Sequence, residues 1–96
     1  MEFKDLKFKK HSVVEGIQAI LEIKPKVFIS VVAGDGMYSN GKTGHRAAVS
    51  KVEDVSSFEV AIIDENLPEE EQQWDVVGWQ SREDINQLIT DYSEKM

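Results

Sequence analysis

The chain has 96 residues, 41% of them hydrophobic, no cysteine, and 11 Lys plus Arg against 18 Asp plus Glu for a net charge of -7. That length holds one modest core, so residues 1–96 are read as a single domain, and no apolar stretch reaches the roughly 18 to 20 residues of a membrane helix. Without cysteine there is no disulfide, thiol nucleophile or thiolate metal site, and the acidic balance argues against direct binding to nucleic acid.

The first residues, Met1-Glu2-Phe3-Lys4-Asp5-Leu6, lack the apolar core and small-residue cleavage site of a signal peptide, so a cytoplasmic setting is expected. Ile17-Gln18-Ala19-Ile20-Leu21-Glu22-Ile23 is short, rich in isoleucine and partly alternating, which predicts a strand. Lys24-Pro25-Lys26 breaks it, and Val27-Phe28-Ile29-Ser30-Val31-Val32-Ala33 follows as a second β-branched run. So short a connection predicts an antiparallel hairpin, because parallel strands need a crossover of a dozen residues or so.

Gly34, Gly36, Gly41 and Gly44, with Asp35, Ser39 and Asn40 between them, have the composition of a loop. Within it, residues 36–43 spell G-x-x-x-x-G-K-T, the P-loop pattern. In such a site Gly36 and Gly41 would let backbone amides wrap the phosphates, Lys42 would reach the outer ones and Thr43 would ligate magnesium. Asp64, closing the apolar run from Phe58, would support the metal. Three features oppose this reading. The entering strand belongs to a hairpin, the strands are too few for a doubly wound fold, and Gly44 stands where a helix should begin. A surface glycine loop is the plain alternative, with Tyr38 its best contact residue.

Residues 45–55 place Ala48, Val52 and Val55 at helical spacing, leaving a short helix, an irregular excursion or an extra strand open. Phe58-Glu59-Val60-Ala61-Ile62-Ile63 predicts a strand with Phe58, Val60 and Ile62 on one face. An acidic, proline-containing loop follows, then Asp75-Val76-Val77-Gly78-Trp79-Gln80 as a short strand. Of the two tryptophans, Trp79 is expected inside and Trp74 at the edge, where it is a second candidate contact. Ser81-Arg82-Glu83-Asp84 reads as a capping box, and Ile85, Leu88, Ile89 and Tyr92 then fall on one helical face. The sum is an α+β domain: an antiparallel sheet of three or four strands with a C-terminal helix packed on one face.

No catalytic set and no cofactor or metal site is read from the chain. His11 and His45 match no ligand spacing, and the carboxylates after Asp64 lack the alternation and central glycine of a calcium loop. From Glu53 to Asp75 every charge is negative, which reads as a solvated face or as a surface that meets a basic partner.

Phe8-Lys9-Lys10-His11, Gly16-Ile17-Gln18-Ala19, Ile29-Ser30-Val31-Val32, Gly34 through Tyr38, Phe58-Glu59-Val60-Ala61 and Asp75-Val76-Val77-Gly78-Trp79 occur in that order. Together they resemble a group of small uncharacterised proteins of tailed bacteriophages and prophages. In that group the tyrosine loop passes almost directly into the Phe-Glu-Val-Ala strand, whereas here Gly41-Lys42-Thr43 lies in a longer interval. The resemblance implies expression in a bacterial host and an accessory role, and it carries over no functional residue. The expected function is therefore non-enzymatic, by protein–protein interaction, with a homodimer through a strand edge as one form. Alternatives are a minimal phosphate- or nucleotide-binding module and a nucleic-acid mimic that occupies a basic groove.

Overall fold

The computed structural model describes residues 2–11, 15–41, 44–45, 47–68 and 75–94. The predicted hairpin is present: β2 (Gly16–Lys24) and β3 (Val27–Gly34) are antiparallel neighbours, after a two-residue β1 (Lys9–Lys10) that pairs with β2. Pro25 and Lys26 make the connection, and Lys26 takes a φ of 65°, the left-handed value a turn of this kind needs at its second central residue. β6 (Phe58–Asp64) lies antiparallel on the other side of β3, and β7 (Asp75–Gln80) antiparallel to β6. The sheet order is β1-β2-β3-β6-β7, five strands where three or four were expected. The difference is β1, since two consecutive lysines carry no periodic apolar signal and pair only because β2 offers them an edge.

The glycine-rich segment does not lie idle. β4 (Asn40–Gly41) and β5 (Gly44–His45) form a separate two-stranded hairpin. Residues 47–51 are irregular and a 3-10 turn covers Val52–Asp54, so the helical spacing of Ala48, Val52 and Val55 produces no α-helix. The C-terminal helix α1 (Arg82–Glu94) is present, and the capping box forms as expected. Asp84 N–H donates to Ser81 Oγ at 3.1 Å, while Ser81 N–H donates to Asp84 Oδ2 at 2.9 Å.

Residues opposite one another in an antiparallel pair share a face, so register assigns the sides of the sheet. Ala19, Val31, Val60 and Val77 lie in one row, and Ile20, Ser30, Ala61 and Val76 in the next on the other side. The first side is the core face. Ile17, Ile29, Phe58 and Ile62 are buried there, joined by Ile85 and Ile89 of α1 and by Leu6, Val49 and Val55. Burying side chains of that size contributes about 1.5–3 kcal/mol each, the main attraction holding α1 to the sheet. Phe3, Phe8 and Phe58 form an aromatic triangle with centroids 5.2–5.8 Å apart, and Phe3 N–H donates to Asn86 Oδ1 of α1. The chain's N-terminal segment, the helix and the sheet thus meet at one place.

Candidate binding surface

At the end of β3 the chain leaves the sheet through a turn closed by Met37 N–H to the Gly34 carbonyl at 3.1 Å. Gly36 sits in that turn at φ 77°, a conformation that favours glycine. Ser39 N–H then bonds the Met37 carbonyl at 2.8 Å, which places Tyr38 at the apex of a tight three-residue bend. Ser39 is fully buried, and its Oγ accepts the Gly34 N–H at 3.1 Å. Asn40 finally pairs with Ser57, just before β6. Each of these bonds fixes Tyr38 from one side, so the loop presents it on a braced backbone.

The partner of Tyr38 is Trp79. The register between β6 and β7 breaks between Phe58 and Val60, and Trp79, opposite that break, adopts a φ of 53°. This is a β-bulge, which bends the strand and re-aims its side chains. The Trp79 N–H turns to the Tyr38 carbonyl at 2.9 Å, and the two rings stand 5.2 Å apart at 45°. Gly78 makes room for the contact, since a Cβ there would lie 2.6 Å from the Tyr38 Cβ. Gly78 shares its side of the strand with Val76 by alternation, so Tyr38 lies on the face opposite α1.

Trp79 is therefore not the core residue its isolation in an apolar strand predicted: it is 43% exposed, and Tyr38 is 44% exposed. The reason is the bulge, which takes Trp79 out of the alternation that would have pointed it inward. Trp74, the other aromatic candidate, lies outside the described residues. Val76 and Val77, neighbours of Trp79 on β7, are also exposed, at 50% and 42%. Sequence reasoning singled out Tyr38 and missed Trp79, Val76 and Val77. The one available signal was Gly78, a glycine inside a strand pattern, which marks a bulge or a close backbone approach.

Of the P-loop pattern, the described glycines Gly36 and Gly41 lie in two different local structures. Gly41 lies in β4, paired with Gly44, and a Cβ on it would meet Val49 Cγ2 at 2.9 Å. Gly36 lies in the separate turn described above. Lys42 and Thr43 lie outside the described residues. The chain enters from a strand held antiparallel between β2 and β6, and Gly44–His45 is strand, not the first turn of a helix. Asp64 Oδ1 accepts the Asn66 N–H at 2.9 Å, capping its own turn.

A groove of about 710 Å³ runs between β1 and residues 48–53, lined by Lys9, Lys10 and Lys51 together with Glu15 and Glu53 over an apolar floor that includes Ile17 and Val49. Its charges are mixed, three ammonium groups with two carboxylates, which is not the concentrated positive field a phosphate group selects. Among the described residues, no three His, Asp or Glu side chains are grouped to hold a metal ion. Comparison with protein-family models, with curated proteins and with solved structures finds no match.

Proposed function

We propose that this chain is a non-enzymatic accessory protein, of the phage or prophage type, that works in the bacterial cytoplasm by binding another protein. The observation that carries this reading is the exposed Tyr38–Trp79 pair. Tyrosine and tryptophan are the residues that most often dominate binding energy at protein interfaces, because they bury large area with few rotors to order. Here both sit on backbone already held by hydrogen bonds, so little entropy is lost when a partner covers them. The acidic run from Glu53 to Asp75 supports a partner of opposite charge by steering the encounter.

The test is crosslinking in bacterial lysate with wild type, Tyr38→Ala and Trp79→Ala, each checked for retained fold by circular dichroism. A protein crosslinked by wild type and lost in both variants is the expected result. An identical crosslinking profile in all three would remove the aromatic pair from the function. An amide-shift titration with Mg-ATP tests the competing phosphate-binding reading. A flat response is expected, whereas saturable shifts confined to residues 34–44 and abolished by Lys42→Ala would make this a nucleotide-binding protein.

A further inference from the structure

The two edges of the five-stranded sheet differ in kind. One edge is β1, two residues long and made of Lys9–Lys10, a length and charge that discourage further strand pairing. The other is β7, six residues long, with neither lysine nor proline, and no described strand pairs with its far side. Val76 and Val77 are both exposed although they point to opposite faces of the sheet. A layer laid on the face opposite α1 would cover Val76 and leave Val77 in water. A strand added beside β7 would flank both.

The strand beside this edge, the turn that follows that strand and the start of α1 carry carboxylates. Glu59 and Asp64 lie on the neighbouring strand, Glu65 in the turn after it, and Glu83 and Asp84 on the first turn of the helix that leaves β7. Lys24 and Lys26 flank the β2–β3 turn, where the Lys26 carbonyl accepts the Glu65 N–H at 2.7 Å, so they offset Asp64 and Glu65 at that end and leave Glu59, Glu83 and Asp84 along the rest. Arg82, the first basic residue after Lys51, is turned to the interior, where it donates to the Val52 and Val55 carbonyls. The Tyr38 and Trp79 rings stand together at the end of β7. A second copy of this chain, itself at net charge -7, would bring like charge to like.

Resting on the protein-binding reading above, we infer that β7 is a docking edge that takes an extended, lysine- or arginine-rich segment of a partner protein as a sixth, antiparallel strand. Backbone hydrogen bonds along residues 75–78 supply the attachment. Valine contacts on both faces fix the register, and the surrounding carboxylates select the basic segment.

The probe is a blocked peptide of about eight residues that alternates valine with lysine, the length of an ordinary strand, compared with its valine–glutamate counterpart. Isotope-labelled full-length protein is titrated with each, and amide shifts and hydrogen exchange are read. The lysine peptide is expected to shift and protect the amides of residues 75–78 saturably, and the glutamate peptide to leave them unchanged. Val77→Lys and a rise to about 0.5 M salt should each weaken binding about tenfold, by like-charge repulsion and by screening. Equal response to both peptides, no response, or shifts at Ile20 and Ala61 in place of β7 would overturn the inference. So would a dimer in sedimentation velocity that Val77→Lys abolishes, because the edge would then belong to a second copy. If the peptide misses β7 while crosslinking still depends on Tyr38 and Trp79, the edge assignment falls and the protein-binding reading stands. If the peptide docks on β7 and no crosslink depends on the aromatic pair, it is the aromatic reading that fails.

Discussion

The Arg82 guanidinium carbon lies 5.3 Å from the centroid of the Phe58 ring, and Phe58 is completely buried. The same guanidinium stands 5.3 Å from the Phe3 centroid and donates to the Val55 and Val52 carbonyls at 2.8 and 2.9 Å. A single side chain at the start of α1 thus ties the N-terminal segment, the 3-10 turn and β6 together. The Val52 carbonyl also accepts the Val55 N–H of the 3-10 turn at 3.1 Å, so the guanidinium adds a second bond to it and bonds the Val55 carbonyl as well.

Replacing Arg82 by alanine should therefore destabilise the fold by about 2–3 kcal/mol, the range for lost hydrogen bonds from a charged donor plus a partly buried cation–π contact. Urea unfolding monitored by circular dichroism gives the value. Arg82→Lys should recover less than half of the loss, because an ammonium cannot span two carbonyls with a planar fork. Full recovery by lysine would mean that charge alone is at work.

The capping box predicts a pH dependence. The Ser81 backbone N–H and then its hydroxyl hold the Asp84 carboxyl below its ordinary value of 3.8. A carboxylate whose pKa is lower in the folded state adds stability above its unfolded pKa, and that stability is lost as pH falls through the folded value. The stability gap between wild type and Asp84→Asn should thus be constant at neutral pH and shrink only below about pH 4. Ser81→Ala should cost about 1 kcal/mol at neutral pH, the usual effect of removing a helix N-cap. A gap that instead changes between pH 6 and 8 would point to another group.

Gly78→Ala should dislodge Tyr38, because the new methyl would lie 2.6 Å from the tyrosine Cβ. We expect a loss of about 1–3 kcal/mol, as for other overpacked sites. A change in tryptophan near-ultraviolet circular dichroism should accompany it as the Tyr38–Trp79 contact opens. Unchanged stability and an unchanged spectrum would show that the loop yields freely.

Ser39→Ala should cost about 1–3 kcal/mol by leaving the buried Gly34 N–H without its acceptor. Hydrogen exchange at Gly34 should accelerate while exchange at Ile29 and Val31, in the middle of the sheet, follows the global change. A neutral substitution would mean that water replaces the hydroxyl.

The α+β class, the β2–β3 hairpin, the alternating face of β6 and the amphipathic helix with its Ser81–Asp84 box were all legible in the amino-acid order. Each depends on interactions a few residues apart: Pro25 cannot donate to a ladder, Phe58, Val60 and Ile62 repeat at the period of a strand, and Ile85, Leu88 and Ile89 at that of a helix. What escaped depends on pairings across the chain. Lys9 and Lys10 become a strand only because β2 lies beside them, and residues 47–55 resolve into an irregular path because Val49 and Val55 are drawn separately into the core. Trp79 was misplaced for the same reason. Its outward position follows from a bulge between β6 and β7 and from a hydrogen bond to Tyr38, far off in sequence. The sequence by itself determined the local elements and the acidic charge, because propensity, periodicity and composition are properties of neighbours. Only the tertiary structure decided which strand lies at the open edge and which aromatic rings meet there, because strand order and register are set by long-range packing that no local pattern encodes.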